Sequence, residues 1–257
     1  MLRLIASDID GTLLQNGAVE IPEELFAEID RLAGKGILFC PASGRQYHSL
    51  RRLFAPVADR VPYVCENGAI VFGMGSPGPV LGRTVMERAL AIQLCRNIMA
   101  QPEAEVLVSG QDACYVCPKK VDMVSLVRDG LGNKTVVLNT LEDMPEEIIK
   151  VSAYCPHRRL EETRLALVFR WERAFHAAVA GEEWLDFTLA DKGTGLAQLC
   201  GALGIGMADV MAFGDNYNDL PMLEKVGQPY LVETAAPDLR KRIPGSCVSV
   251  LDVLRSL

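Results

Sequence analysis

The sequence has no excess of positive charge, no long apolar run and no paired pattern of cysteines or histidines, and each absence removes a class of function. Lys and Arg number 26 against 33 Asp and Glu in 257 residues, a net charge of -7 with a pI near 5.1. Such a chain has no general basic surface to neutralise a nucleic-acid backbone or an anionic membrane, so neither is an expected partner and a small molecule is favoured. No window approaches the roughly 18 unbroken apolar residues of a membrane span, because Asp, Glu, Lys, Arg, Gly or Pro interrupts every run. The opening apolar stretch, residues 2–6, is soon followed by Asp8 and is too brief for a signal-peptide core. Eight cysteines lie scattered at 40, 65, 95, 114, 117, 155, 200 and 247. They suit buried thiols in a reducing cytoplasm, with no disulfide framework. Cys114 and Cys117 have the spacing of a metal or redox pair, but no second pair accompanies them and a strand would put their sulfurs on opposite faces. His48, His157 and His176 show no ligand spacing; core or surface positions suit them, with His176 also able to meet a substrate. Gly73-Met74-Gly75-Ser76-Pro77-Gly78 has a dinucleotide-type glycine pattern, yet Pro77 and Pro79 stand where a helix should begin, so a turn leading into an insert is expected. There is no internal repeat and no low-complexity segment.

What is present is an ordinary globular composition, 49% hydrophobic and 23% charged, long enough for two compact units. Residues 2–5 read as a buried strand. Pro22 then opens a helix with Leu25, Ile29 and Leu32 on one face, ended by Gly34 and Gly36. The pattern repeats: a strand at 37–40, a helix with Tyr47, Leu50 and Phe54 inward, and a strand at 61–65 leading to a hairpin from Gly68. It returns near the C-terminus with a helix carrying Leu196, Leu199, Cys200 and Leu203, and then the run 210–213. This alternation predicts an α/β fold, a Rossmann-like parallel-sheet core with helices on both faces. Between the halves the order changes. Residues 106–108 and 114–117 suit a hairpin, 121–127 a helix, 148–155 a strand, 160–171 a helix, and 175–179 and 184–188 strands. The expected organisation is therefore a core of residues 1–78 and 186–257 with an inserted α+β unit, 79–185, serving as a lid.

Chemistry-bearing residues gather where the core strands end. Asp8 and Asp10 follow the first strand, and carboxyl ends of strands in open parallel sheets are where ligands bind. If the backbone stays extended, an i, i+2 pair points both carboxylates to one side, where Mg²⁺, a hard oxygen-seeking cation, would relieve their repulsion. The same pair also suits a simple loop cap. Asp215 and Asp219, in Gly214-Asp215-Asn216-Tyr217-Asn218-Asp219, form a second cluster that either completes a metal shell or makes an Asx-rich turn. Ser43-Gly44, after the second strand, offers a hydroxyl and backbone N–H groups to a phosphate, or an ordinary helix cap. Lys192 is a compact positive charge at a helix start, suited to balancing phosphoryl oxygens.

These four segments, in this order, resemble the haloacid dehalogenase-like hydrolases. The position of the insert, with Cys65-Glu66-Asn67-Gly68-Ala69 and the fourth motif, is similar to the Cof-like branch with its large type IIB α/β cap. That resemblance implies a Mg²⁺-dependent phosphatase acting on a small phosphorylated metabolite, such as a sugar phosphate, through an aspartyl-phosphate. It implies that Asp8 is the nucleophile and Asp10 the acid and base, with Mg²⁺ held by Asp8, the backbone carbonyl of Asp10 and Asp215. Asp219 would bind the ion as well or steady another ligand. Ser43, Gly44 and Lys192 would bind the phosphoryl group, and Asn218 would orient it or Lys192. Flavin mononucleotide and pyridoxal phosphate are further candidate substrates, whereas Asp10 disfavours dehalogenation. Alternatives on the same scaffold are a sugar phosphomutase-type phosphotransferase and a non-catalytic metabolite-binding protein. One departure stands out: many relatives have a glycine-asparagine-alanine turn after the fourth motif, and this chain has Val232-Glu233-Thr234-Ala235, which adds a carboxylate.

Overall fold

Short strands that are apolar along nearly their whole length cannot leave either face in water, and the two central strands of the core are of that kind. Leu4–Ser7 and Val210–Gly214 are buried at every position. In the computed structural model, which describes residues 1–120, 122–156, 160–180 and 183–257, these two strands sit side by side in the middle of a five-stranded sheet. Its order is Gly245–Cys247, Gln228–Val232, Val210–Gly214, Leu4–Ser7, Leu38–Pro41, and every pairing is parallel. One face of the sheet packs Leu4, Ala6, Cys40 and Ala212 against Leu196, Leu199 and Cys200 of the helix Lys192–Leu203. Towards the other face lie Phe39 and the helix Glu23–Ala33, whose Leu25, Ile29 and Leu32 are buried; the rings of Phe26 and Phe39 both contact Phe54. The chain starts in mid-sheet and builds outward in both directions, so a crevice opens at the carboxyl ends of Leu4–Ser7 and Val210–Gly214.

The chain divides into two units, Met1–Arg83 with Asp191–Leu257, and Thr84–Ala190. The division expected at 79 and 185 shifts to these later positions for a structural reason. The turn after Phe72 does not lead into the insert. It closes a hairpin, and Val80–Arg83 pairs antiparallel with Ile70–Phe72, which pairs with Tyr63–Cys65. This three-stranded sheet joins the core through a parallel bridge between Ala42 and Val64. At the far end, Trp184–Thr188 is a strand of the second unit, paired with both Lys150–Tyr154 and His176–Ala180.

That second unit is a six-stranded sheet in the order His176–Ala180, Trp184–Thr188, Lys150–Tyr154, Glu105–Ser109, Cys114–Val116, Thr135–Val137. Only the last pairing is parallel. Val106, Val108, Val151 and Phe187 join Leu94, Ile98, Leu167 and Trp171 of the helices Arg88–Met99 and Leu160–Trp171 in one core. The sequence pattern assigns no element between Gly78 and Val106, where the structure has a strand and the helix Arg88–Met99. Glu87 caps that helix by accepting the amides of Ala89 and Leu90 at 2.9 and 2.8 Å. The helix expected at 121–127 is a short one, Asp122–Ser125, continued by a wider turn at Leu126–Gly130; Val121 lies outside the described residues. All eight cysteines are free thiols, seven of them buried. Among the described residues no helix is long and apolar enough to cross a membrane.

Gly68 shows how tightly the core is assembled. Its φ is 91°, and a Cβ there would enter the space of the Asp191 carbonyl. Gly68→Ala is expected to destabilise the protein by about 2–4 kcal/mol, combining left-handed strain with a backbone clash. The measurement is the urea midpoint; a midpoint within error of wild type would show that the contact can relax.

Candidate active site

The first strand ends at Ser7, and the Asp8 amide still donates to the Phe213 carbonyl of the neighbouring strand at 3.0 Å. Asp8 and Asp215 are thereby placed at the ends of two adjacent strands. Beyond Asp8 the chain leaves the sheet and turns at Gly11, whose φ is 94°. A side chain at Gly11 would collide with the Asp215 carboxylate, so the turn admits only glycine. Thr12 completes the turn, its hydroxyl donating to Asp215 Oδ1 at 3.0 Å.

Asp191 caps the helix Lys192–Leu203 by accepting the Thr194 amide at 2.6 Å, which sets Lys192 at the first helical position. The Lys192 side chain is 1% exposed, and its Nζ donates to Asp8 Oδ1 at 2.5 Å and to Asp219 Oδ1 at 2.6 Å. Asp219 is itself fixed from behind: its Oδ2 accepts the amides of Asp215 and Asn216, each at 3.0 Å, within a capping box at the start of the turn Tyr217–Asp219. Asn218 lies half-buried in that turn. Asp8, Asp215 and Asp219 each bring one carboxylate oxygen within 4.8 Å of the others. Among the described residues no other group of three His, Cys, Asp or Glu side chains gathers in this way.

The electrostatics follow from that crowding. Burial pushes the Asp8 carboxyl well above the ordinary carboxylate range; Lys192 pulls it back, while Asp219 and Asp215 push it further up. Burial also raises Asp215, with the Asp219 charge second and the Thr12 hydroxyl opposing. For Lys192, burial disfavours the ammonium, but Asp219 and Asp8 together outweigh it and hold the group firmly protonated. Three carboxylates around one ammonium leave negative charge over, and all the donors are hard oxygens with no imidazole or thiolate among them. These residues fit a hard divalent cation such as Mg²⁺.

Asp10 is placed differently from the sequence expectation. The extended backbone needed to align Asp8 and Asp10 stops at Ser7, and Asp10 instead makes a bridge with Leu14. Its side chain lies outside the carboxylate cluster, more than half exposed, and is gripped by Arg45: Nε to Oδ2 at 2.8 Å and Nη2 to Oδ1 at 2.5 Å. Arg45 is a site residue that the motif reading passed over. The Asp10 carboxylate is the first of the influences that raise its guanidinium pKa, burial opposing and the Asp8 charge adding to the rise. Ser43 is buried, and its hydroxyl accepts the Arg45 amide at 3.2 Å. Gly44 lies against the Asn67 carboxamide, with 3.1 Å between its would-be Cβ and Oδ1. Glu233, by contrast, is exposed and donates its amide to the Cys247 carbonyl at 3.0 Å. His48 stacks edge-on against Tyr47, His176 is exposed at a sheet edge, and His157 lies outside the described residues.

Comparison with known proteins identifies the family. Residues 5–247 match the family model for haloacid dehalogenase-like hydrolases. The 5-amino-6-(5-phospho-D-ribitylamino)uracil phosphatase YbjI of Escherichia coli K12 is 26% identical over 91% of this chain and 86% of its own length. A crystal structure from Eubacterium rectale is 30% identical, with a TM-score of 0.84, covering 99% of this chain and 98% of that one. The subclass IIB sugar phosphatase BT4131 is 20% identical and shares the fold, with a TM-score of 0.79 over 99% of this chain and 97% of its own. With strand-end aspartates, a buried lysine and an insert of this architecture, the chain belongs to the haloacid dehalogenase-like hydrolases, and its fold is that of the Cof-like, subclass IIB branch.

Proposed function

We propose that this hydrolase is a Mg²⁺-dependent phosphatase that cleaves small phosphomonoesters, sugar phosphates or similar metabolites, through an aspartyl-phosphate on Asp8. The observation that carries the reading is the fixing of Asp8 by the buried Lys192 ammonium, beside Asp215 and Asp219. The substrate class rests on two relatives: YbjI, whose name specifies a phosphoribityl compound, and the sugar phosphatase BT4131.

In this mechanism Asp8 Oδ attacks phosphorus while the bond to the leaving oxygen breaks, and Asp10 gives that oxygen its proton. Water then attacks the aspartyl-phosphate, Asp10 takes a proton from it, and release of inorganic phosphate restores the Asp8 carboxylate. Lys192, the Ser43 hydroxyl and the Gly44 amide hold the phosphoryl oxygens, and Asn218 helps orient them. Asp219 keeps Lys192 charged and anchors the Asp215 loop. Asp8, Asp215 and the Asp10 carbonyl would hold Mg²⁺, with Asp219 beside them. Bound there, the ion supplies positive charge against the phosphoryl group, and phosphoryl transfer depends mainly on such positioning and neutralisation. To the second unit, Thr84–Ala190, we assign the role of the substrate-selecting cap.

The direct test is phosphate release from a panel of sugar phosphates, nucleotides and phosphorylated cofactors with Mg²⁺. Asp8→Asn is expected to lower kcat by at least about a thousandfold with an unchanged circular dichroism spectrum. Full turnover by that variant would remove Asp8 as nucleophile. Activity is expected to vanish in EDTA and return with Mg²⁺, and the apparent Mg²⁺ affinity to weaken as pH falls, because protons compete for the raised Asp8 and Asp215 carboxyls. A metal affinity that rises on acidification would contradict the assigned ligands.

The same shifts predict a stability effect. With folded pKa values above their unfolded ones, Asp8 and Asp215 contribute stability that is present below the ordinary carboxylate range and lost as pH rises through the raised values. In EDTA at pH 7, Asp215→Asn should therefore melt at a higher temperature than wild type, since the amide oxygen can still accept from Thr12. The advantage should shrink on acidification and disappear with saturating Mg²⁺. Thermal scans across pH measure it, and a lower melting temperature in EDTA would mean that the carboxylate is net stabilising without metal.

A further inference from the structure

The leaving-group acid of the proposed reaction stands on a turn, outside any regular element, with an exposed side chain. A carboxylate so placed samples several rotamers unless something holds it, and an acid is effective only when it stays within hydrogen-bond reach of the oxygen it protonates. Arg45 is what holds it. The guanidinium fork uses both Asp10 oxygens, at 2.8 and 2.5 Å, and so fixes the plane of the carboxyl group as well as its position. Each carboxylate oxygen offers about two lone-pair directions, so the fork leaves others open for proton exchange.

The backbone of Arg45 is held as firmly as its side chain. Its amide donates to Ser43 Oγ at 3.2 Å, and its carbonyl accepts the amide of Glu66 at 3.1 Å. Glu66 begins an unusual turn: Glu66, Asn67 and Gly68 have φ values of 52°, 54° and 91°, three consecutive residues in the left-handed region, of which only the last is glycine. Left-handed conformations cost of order 1 kcal/mol or more at non-glycine residues and persist only where their surroundings over-determine them. Here the surroundings do so. The Asn67 amide donates to the Ser43 carbonyl at 3.0 Å, and Gly68 is pressed against the backbone of Asp191 and Lys192. The turn thus ties residues 43–45 to the start of the Lys192 helix and holds them in a set relation to it.

We infer that Arg45 is the positioning residue for the general acid Asp10, its guanidinium aiming the carboxyl group and its backbone anchored by the left-handed Glu66–Gly68 turn. The inference rests on the phosphatase reading above. Arg45 itself exchanges no proton: the proton passes from the Asp10 carboxyl to the departing oxygen as the phosphorus–oxygen bond breaks, and the guanidinium stays charged throughout.

A positioning role makes a prediction that a purely structural one does not. p-Nitrophenolate leaves with little need of a proton, whereas an alkoxide needs one, so formation of the aspartyl-phosphate depends strongly on where Asp10 points only for the sugar phosphate; hydrolysis of the intermediate, where Asp10 takes a proton from water, is common to both substrates. R45Q in excess over substrate is to be followed with Mg²⁺ in single turnovers, reading the release of p-nitrophenol from p-nitrophenyl phosphate and of sugar from the sugar phosphate that wild type hydrolyses fastest. Expected is a fall in the rate of leaving-group release of about 100-fold for the sugar phosphate, within the range of general acid catalysis, and of less than about threefold for the aryl ester. R45K, which keeps the charge but not the fork, should fall between wild type and R45Q on the sugar phosphate. Equal losses on both substrates in a variant that melts with wild type would overturn the inference, as would no loss. A gain would also overturn it, since it would mean that Arg45 restrains Asp10 away from its task. If R45Q melts below the assay temperature, R45K carries the test with the same selective pattern expected. Wild type releasing phosphate from neither substrate would instead defeat the phosphatase reading, so the two failures are distinguishable.

Discussion

The arrangement turns on one buried contact, the Lys192 ammonium between Asp8 and Asp219. Taking an ammonium out of water costs several kcal/mol, so it stays charged only because two carboxylates meet it at hydrogen-bond distance. That requirement reaches far into the fold. Asp8 has to leave its strand beside the strand that leads to Asp215 and Asp219, which fixes which two strands are central. The helix beginning at Lys192 must approach so closely that no side chain fits at its second and fourth positions: a Cβ on Gly193 would enter the Pro221 carbonyl, and one on Gly195 would meet the backbone of Gly68. The poor helix-forming sequence Lys192-Gly193-Thr194-Gly195 is therefore dictated by packing.

The same contact leaves the site electrostatically incomplete. One ammonium cannot neutralise three carboxylates, and the remainder is expressed as raised proton affinity at Asp8 and Asp215. Asp219 is held differently from its neighbours: two backbone amides and Lys192 occupy its oxygens. Within the cluster, then, Asp219 acts as the fixed support, and Asp8 and Asp215 carry the unmet negative charge. A local excess of like charge is a recognised way for a protein to give up stability at a site that binds a cation or a phosphoryl group.

Much of this was legible in the sequence. Apolar runs that end abruptly in aspartate place Asp8 and Asp215 at strand ends, and Asp191 before Lys192 is a helix-cap signal that puts the lysine in the first turn. The parts that were not legible failed for identifiable reasons. The i, i+2 rule that aligned Asp8 with Asp10 presumes extended backbone, and the strand ends one residue before Asp8. Arg45 follows Ser43-Gly44 at a helix approach, where an arginine is usually solvated, and its partner lies 35 positions away. The helix Arg88–Met99 was hidden by its cap, since Glu87 is not among the residue types that ordinarily mark a helix start. Nor does any propensity place glutamate in the left-handed region, where Glu66 lies with its amide donating to the Arg45 carbonyl, a contact no local pattern announces.

Two aspartates two residues apart thus live in unlike surroundings, and the difference suits the division of labour proposed for them. Asp8 is buried and held by a compact ammonium through one oxygen, Oδ1. Such a hold fixes the carboxylate near a phosphoryl site while occupying little of its lone-pair capacity, as a nucleophile requires. Asp10 is exposed and held by a planar fork across both oxygens. A fork restrains orientation more than a point charge can, and orientation is what an acid needs when the oxygen it must reach belongs to a variable leaving group. Exchanging the two cations would give each carboxylate the wrong constraint: Asp8 tied through both oxygens, Asp10 free to swing. The local backbone prevents that exchange, because the turn at Gly11 sends Asp10 towards the second strand's loop while Asp8 stays in register with Phe213.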